Sequence, residues 1–208
     1  MFGILVFGDS ISFGRGESPS IGWSGRLKNY FEVQEFHNCL YELGIPGDTT
    51  ISLLQRFEIE IKSRINYIRQ GDKFIVMIAI GINDSRGLGS PNNLEIPPRK
   101  FESNISKLIQ IAKKYTKDIV IIGLTPVDET LTNPFENTYF TNNRIKEYDM
   151  LLKKTSLNNK IYYINLFNPI SKLNYKKLLA DGVHPNKKGY QEIYTIIKED
   201  LIRKKLIT

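Results

Sequence analysis

Three short runs in this chain are almost uninterrupted hydrophobe: FGILVF (2–7), KFIVMIAI (73–80) and DIVIIGL (118–124). Turn-forming residues bound each run, and none is long enough for a helix buried on every side. Each therefore reads as a strand covered on both faces, the pattern of a parallel sheet with helices packed above and below. Two more mixed stretches, around VQEFHNCLYEL (33–43) and KIYYINL (160–166), are the other strand candidates.

Helical patterns fill the intervals. After Thr49 and Thr50, either of which can cap, Leu54, Phe57, Ile61, Ile65 and Ile68 recur on one helical face, and Gly71 supplies a stop. Phe101, Ile105, Leu108, Ile109 and Ala112 repeat the pattern, as do Ile145, Tyr148 and Leu152, and then Ile193, Ile197 and Leu201. A weaker helix covers WSGRLKNYF (23–31), with Trp23 as its anchor. Strands that alternate with helices imply right-handed crossovers and a three-layer α/β/α sandwich. No repeat, low-complexity tract or linker interrupts the pattern, so one domain over residues 1–208 is expected.

Composition narrows the function classes. The chain is 41% hydrophobic and 25% charged, which fits a folded globular protein rather than a disordered one. No apolar run approaches the ~20 residues a membrane helix needs. The start lacks a basic region ahead of a long apolar stretch, so a cytoplasmic protein without an integral membrane segment is expected. One cysteine, Cys39, excludes an internal disulfide. With two histidines and no HExxH, a catalytic zinc is not expected. No Walker A run is present, and the glycines at 14, 16, 87 and 89 do not complete a dinucleotide fingerprint, so no cofactor is expected. The net charge of +7 comes mainly from 99–117 and 186–208. Their lysines are not interleaved with aromatics as a base-stacking surface requires, so they read as solvated helix faces and not as a nucleic-acid site. Nothing in the sequence specifies an oligomeric state.

The chemistry starts where the first strand ends, at Gly8-Asp9-Ser10. A serine hydroxyl is a weak nucleophile at neutral pH and needs a neighbouring base. Histidine is the usual one. His37 falls inside the second strand candidate, which suits a packed role. His184 lies in DGVHPN (181–186), three residues after Asp181. That spacing lets the carboxylate reach back to one imidazole nitrogen and leave the other facing outward, although Asp-Gly and His-Pro also suit an ordinary turn before a helix. Donors for an oxyanion have two sources. Gly47 in LGIPGDTT (43–50) allows a close backbone N–H at a helix start, and Asn83 in IGINDS (80–85) carries a side-chain amide. Taken singly, Gly44, Gly47 and Asn83-Asp84 also read as turn residues. Asp9 and Asp84 flank these candidates; either could tune the site, and turn and cap roles fit them at least as well. Three long segments without clear periodicity, 85–98, 125–142 and 167–186, leave the carboxyl ends of strands, where open α/β sheets bind ligands. They carry Phe135, Tyr139 and Phe140, which with Phe13 are candidates to line an acyl pocket.

In order and approximate spacing, GDSIS (8–12), GIPGD (44–48), GIND (81–84) and DGVHPN (181–186) resemble the sequence blocks of the SGNH hydrolases, also called the GDSL esterase/lipase family. The resemblance spans nearly the whole chain. It implies a flavodoxin-like α/β/α sandwich with a five-stranded parallel sheet in the order 2-1-3-4-5. It implies that Ser10 is the nucleophile and gives one oxyanion N–H, that Gly47 and Asn83 are the other oxyanion donors, and that His184 is the base oriented by Asp181. The implied activity is cleavage of a small-molecule carboxylic ester through an acyl-enzyme on Ser10. Ile11 replaces the leucine of the family nickname, a change of one apolar residue. A GxSxG elbow is absent, because Ser12 stands at its final glycine position. The same residues would serve an acyltransferase or a thioesterase. A flavodoxin-like phosphate or flavin binder would use the first strand–helix turn instead. SISFGRGESPS (10–20) only partly suits that role, and DGVHPN would be left without one.

Overall fold

The computed structural model describes residues 2–66 and 71–208. Five parallel strands form its central sheet: β1 (Phe2–Gly8), β2 (Cys39–Gly44), β3 (Lys73–Ala79), β4 (Ile119–Ile122) and β5 (Tyr162–Ile164). Their spatial order is β2-β1-β3-β4-β5, as the resemblance implied. The order reverses between β1 and β3, which opens a crevice at the carboxyl edge.

Alternation along β1 explains the three layers. Leu5 and Phe7 point to one face, where they join Leu53, Phe57, Ile61, Phe101, Ile105 and Ile145. Ile4 and Val6 point to the other, with Trp23, Leu27, Ile193 and Ile197. Helices α3 (Thr50–Ile65), α4 (Pro98–Lys113) and α6 (Asn142–Asn158) cover the first face. Helices α2 (Gly22–Glu32) and α8 (Lys187–Arg203) cover the second. Between β1 and α2, a single helical turn, α1 (Ser10–Phe13), starts at the end of β1. Burial on both faces is why the strand sequences are hydrophobic without a break.

Several expectations need correction. The second strand begins only at Cys39. His37, placed inside it from the sequence, sits in an exposed turn closed by Asn38 N–H to Glu35 O (2.9 Å), with its ring against Phe36. Phe36 is 93% exposed, so apolar residues at 33–36 have no face to bury there, and the chain reverses instead of extending. On α3 the fully buried apolar residues are Leu53, Phe57 and Ile61, while Leu54 and Ile65 are half-buried. Ile68 lies outside the described residues. Thr49 caps α3 reciprocally with Ser52, and the described helix ends at Ile65, ahead of Gly71. The long segments hold short elements. Gly87–Leu88 pairs antiparallel with Thr138–Tyr139, and 129–132, 167–171 and 175–178 form short helices α5 (Glu129–Thr132), α7 (Phe167–Ser171) and a 3₁₀ turn (Tyr175–Leu178).

Gly8 decides how the first strand leaves the sheet. A Cβ there would come within 2.1 Å of Ser12 Oγ and 2.7 Å of Ala79 O, so α1 folds back onto the strand end only over a glycine. Gly44 and Ala79 stand beside it on the neighbouring strands, which keeps the whole edge low.

Phe57 is fully buried, with its ring 4.4 Å from that of Phe7. Phe57→Ala is expected to destabilise the fold by about 3–5 kcal/mol, read as a lower urea midpoint at unchanged slope.

Candidate active site

Ser10 is the first residue of α1, and the Asp9 carboxylate before it caps that turn by accepting the Ile11 N–H at 2.9 Å. Gly14 and Arg15 N–H groups both donate to Ser10 O. The serine is held by backbone on both sides and is only 6% exposed.

His184 arrives from 174 residues away, with Nε2 2.9 Å from Ser10 Oγ. Its Nδ1 lies 2.7 Å from Asp181 Oδ2, and its backbone N–H donates to Asp181 Oδ1 at 2.8 Å, joined by Val183 N–H at 3.0 Å. Desolvation would raise the Asp181 pKa, but the His184 side chain and these backbone donors outweigh it and hold it at about 2. An ionised carboxylate only accepts, so Nδ1 carries the proton and Nε2 is left to accept from the Ser10 hydroxyl. DGVHPN is also the turn its composition implied. Asn186 caps α8 through Lys188 and Gly189 N–H, and Gly182 O accepts from Asp128 N–H at 2.8 Å.

Gly47 and Asn83 line the same cleft as Ser10, Asp181 and His184. Gly47 has φ +86°, with nothing within 4 Å of where a Cβ would project, so it is required for its backbone conformation and not for space. Asn83 Nδ2 donates to Asp48 O at 2.9 Å, which leaves the amide a second N–H with no partner among the described residues.

Asp84, which is buried, and Arg56, which is half-buried, hold these loops together, and the sequence showed neither partnership. Asp84 sits at the start of α3, where its carboxylate accepts from Thr50 N–H (3.0 and 3.1 Å) and Thr50 Oγ1, while Asn104 Nδ2 donates to the same hydroxyl. Burial pushes Asp84 up to about 6 against the opposing pull of Thr50. Arg56 spans the strand ends, donating through Nη2 to Asp48 Oδ2 (2.7 Å), Leu43 O (2.8 Å) and Gly8 O (3.3 Å). The only signal in the sequence was adjacency, since Asp84 follows Asn83 and Asp48 follows Gly47.

The cleft has a volume of about 380 Å³ and is walled by Arg15, Arg86, Phe135, Glu136, Thr138 and Phe140. Of the aromatic candidates, Phe135 and Phe140 line it and Phe13 and Tyr139 do not. A larger cavity of about 540 Å³ lies at the amino edge of the sheet, between Phe2, Lys73, Lys117 and Lys205, far from any of these groups. Among the described residues, no group of His, Cys, Asp and Glu is placed to hold a metal. None of the described helices is long and apolar enough to cross a membrane.

A family model described as the GDSL-like lipase/acylhydrolase family matches residues 6–192. The chain belongs to that family. As a GDSL-like acylhydrolase it is a hydrolase acting on ester bonds. No curated protein sequence matches it significantly. Among solved structures it is similar to a lipase/acylhydrolase from Enterococcus faecalis, with 21% identity over 97% of this chain and 95% of that one, at a TM-score of 0.75. It is also similar to an acetylxylan esterase from Geobacillus stearothermophilus, with 18% identity over 96% and 93% and a TM-score of 0.73. A member of the lipolytic G-D-S-L family from Veillonella parvula matches with 17% identity over 98% and 100%, at a TM-score of 0.72. These likenesses establish the shared fold.

Asp9 of the GDS motif is 3% exposed, and burial raises its pKa to about 7, against the pull of the Ile11 N–H and of His184. Between its ordinary value of 3.8 and about 7, the folded protein keeps a proton that the unfolded chain has released. Stability therefore falls as pH rises through that window. Asp9→Asn keeps the acceptor for Ile11 and cannot ionise. It is expected to melt above wild type at pH 8, with the gap closing towards pH 4. Thermal melts across that range check this, and a gap that widens on acidification would refute it.

Proposed function

We propose that residues 1–208 form a single SGNH-type domain that works as a serine esterase through Ser10, Asp181 and His184. The hydrogen-bonded line from Asp181 through His184 to Ser10 Oγ carries the reading. His184 Nε2 takes the hydroxyl proton as Oγ attacks the ester carbonyl. The oxyanion rests on the Ser10 and Gly47 N–H groups and the Asn83 amide. His184 then gives the proton to the leaving alcohol, which departs and leaves an acyl group on Ser10. Water, deprotonated by the same imidazole, attacks that acyl group and releases the acid.

The substrate proposed is a short acyl ester of a polar, hydroxyl-bearing alcohol. Arg15, Arg86, Glu136 and Thr138 supply hydrogen-bonding groups for the alcohol, and Phe135 and Phe140 offer limited apolar surface for the acyl chain. The acetylxylan esterase of similar fold supports this choice, and its serine-to-alanine and histidine-to-alanine variants are catalytic mutants.

Mass spectrometry after a fluorophosphonate probe is expected to find the adduct on Ser10 and none in His184→Ala. Ser10→Ala and His184→Ala should each lose nearly all turnover, and the double variant should be little worse than either. Asn83→Ala should lower kcat by roughly 10²–10³. Substantial turnover by Ser10→Ala would overturn the assignment. In an ester chain-length series, acetate should be cleaved faster than decanoate. Asp181 stays ionised down to about pH 2, so its own protonation is expected to cause no loss of activity between pH 7 and 5, which a pH–rate profile of wild type checks.

A further inference from the structure

Beneath the Ser10 turn lies a second, much smaller pocket, separate from the substrate cleft. It sits where the carboxyl ends of β1, β3 and β4 meet, and Asp9, Ser12 and Thr125 are its polar walls, among apolar residues such as Trp23, Ile82 and Leu166. Asp9, Ser12 and Thr125 are 3%, 2% and 3% exposed. Ser12 Oγ and Thr125 Oγ1 have no hydrogen-bond partner among the described residues. A buried hydroxyl without a partner has lost its hydrogen bonds to water with nothing in exchange, which is destabilising. Ser12 and Thr125 both line one pocket, and Asp9 is a third lining residue. The pocket's volume of about 30 Å³ is enough to admit one water, which needs room for roughly one probe sphere of 10–15 Å³.

We propose that this pocket is a binding site for one water molecule, held by Asp9, Ser12 and Thr125, which fixes the Asp9 carboxyl under the nucleophile turn. Three polar partners are the usual number for a buried water. Ser12 comes from α1 itself, Asp9 caps α1, and Thr125 follows β4, so the water joins the turn that carries Ser10 to the middle of the sheet. Thr125 is then a positioning residue that acts through the water and Asp9. Burial holds Asp9 near neutrality, so its carboxyl is able to donate to the water as well as accept from it.

Thr125→Val tests this by sign. It replaces a hydroxyl with a methyl of the same shape. In a dry pocket that swap removes an unsatisfied polar group and raises Tm. In a hydrated one it breaks a hydrogen bond to the water and lowers Tm, here by about 2–4 °C. The expected result is the lower Tm for Thr125→Val and for Ser12→Ala, with Thr125→Ser close to wild type. A high-resolution crystal structure of the whole chain should show one solvent peak within hydrogen-bonding distance of all three side chains, lost or displaced in Thr125→Val. On a p-nitrophenyl ester, Thr125→Val should lower kcat by roughly 10–100-fold with KM unchanged, and Thr125→Ser should restore it. A raised Tm, an empty pocket, or a peak with the short, sodium-dependent contacts of a metal ion would each overturn the proposal. The kinetic arm alone rests on the esterase reading. If Ser10→Ala kept its activity, the melting and crystallographic arms would still decide the water site.

Discussion

The candidate site depends on one buried carboxylate. Asp84 grips the first residue of α3 through both the backbone and the hydroxyl of Thr50. Gly47 is three residues before Thr50 and Asn83 is one residue before Asp84. A single ion–dipole contact at a helix start therefore sets the distance between two loops that come from different strands. Asn104 extends the hold to α4 by donating to Thr50 Oγ1. Arg56 does the complementary work on the other side, tying Asp48 to the ends of β1 and β2. The cleft is thus shaped by groups that do not line it.

Four aspartates around this edge show how environment separates one side chain into different roles. Asp181 is partly exposed and accepts three hydrogen bonds from its own turn, which keep it charged well below neutral pH. Asp9 and Asp84 are deeply buried, and desolvation raises both despite the hydrogen bonds each accepts. Asp48 is paired with Arg56. In the proposed mechanism, a fixed negative charge at Asp181 suits the partner of an imidazole that becomes positive.

The layered α/β architecture was legible because it is written in local periodicity. Unbroken hydrophobic runs report two covered faces, and 3.6-residue patterns report the helices between them. The strand at 33–43 was misplaced for the same reason. Val33 and Phe36 look like core in a local window, yet they lie in a turn that has nothing to pack against. The short pieces inside 85–98, 125–142 and 167–186 were illegible because two to five residues carry no period, and only pairing such as Gly87 with Tyr139 creates them.

By itself the sequence determined the fold class, the five strands and their helices, and the residues Ser10, Gly47, Asn83, Asp181 and His184 as candidates, since ordered motifs and periodic burial are properties of neighbours along the chain. Only the tertiary structure decided what those residues touch. The contacts of Asp84 with Thr50, Arg56 with Gly8 O and His184 with Ser10 join positions 34, 48 and 174 residues apart. The pocket shared by Asp9, Ser12 and Thr125 exists only where separate strands end side by side. Such contacts arise from chain crossovers that bring strand ends to one edge, and no local pattern encodes which distant partner will arrive there.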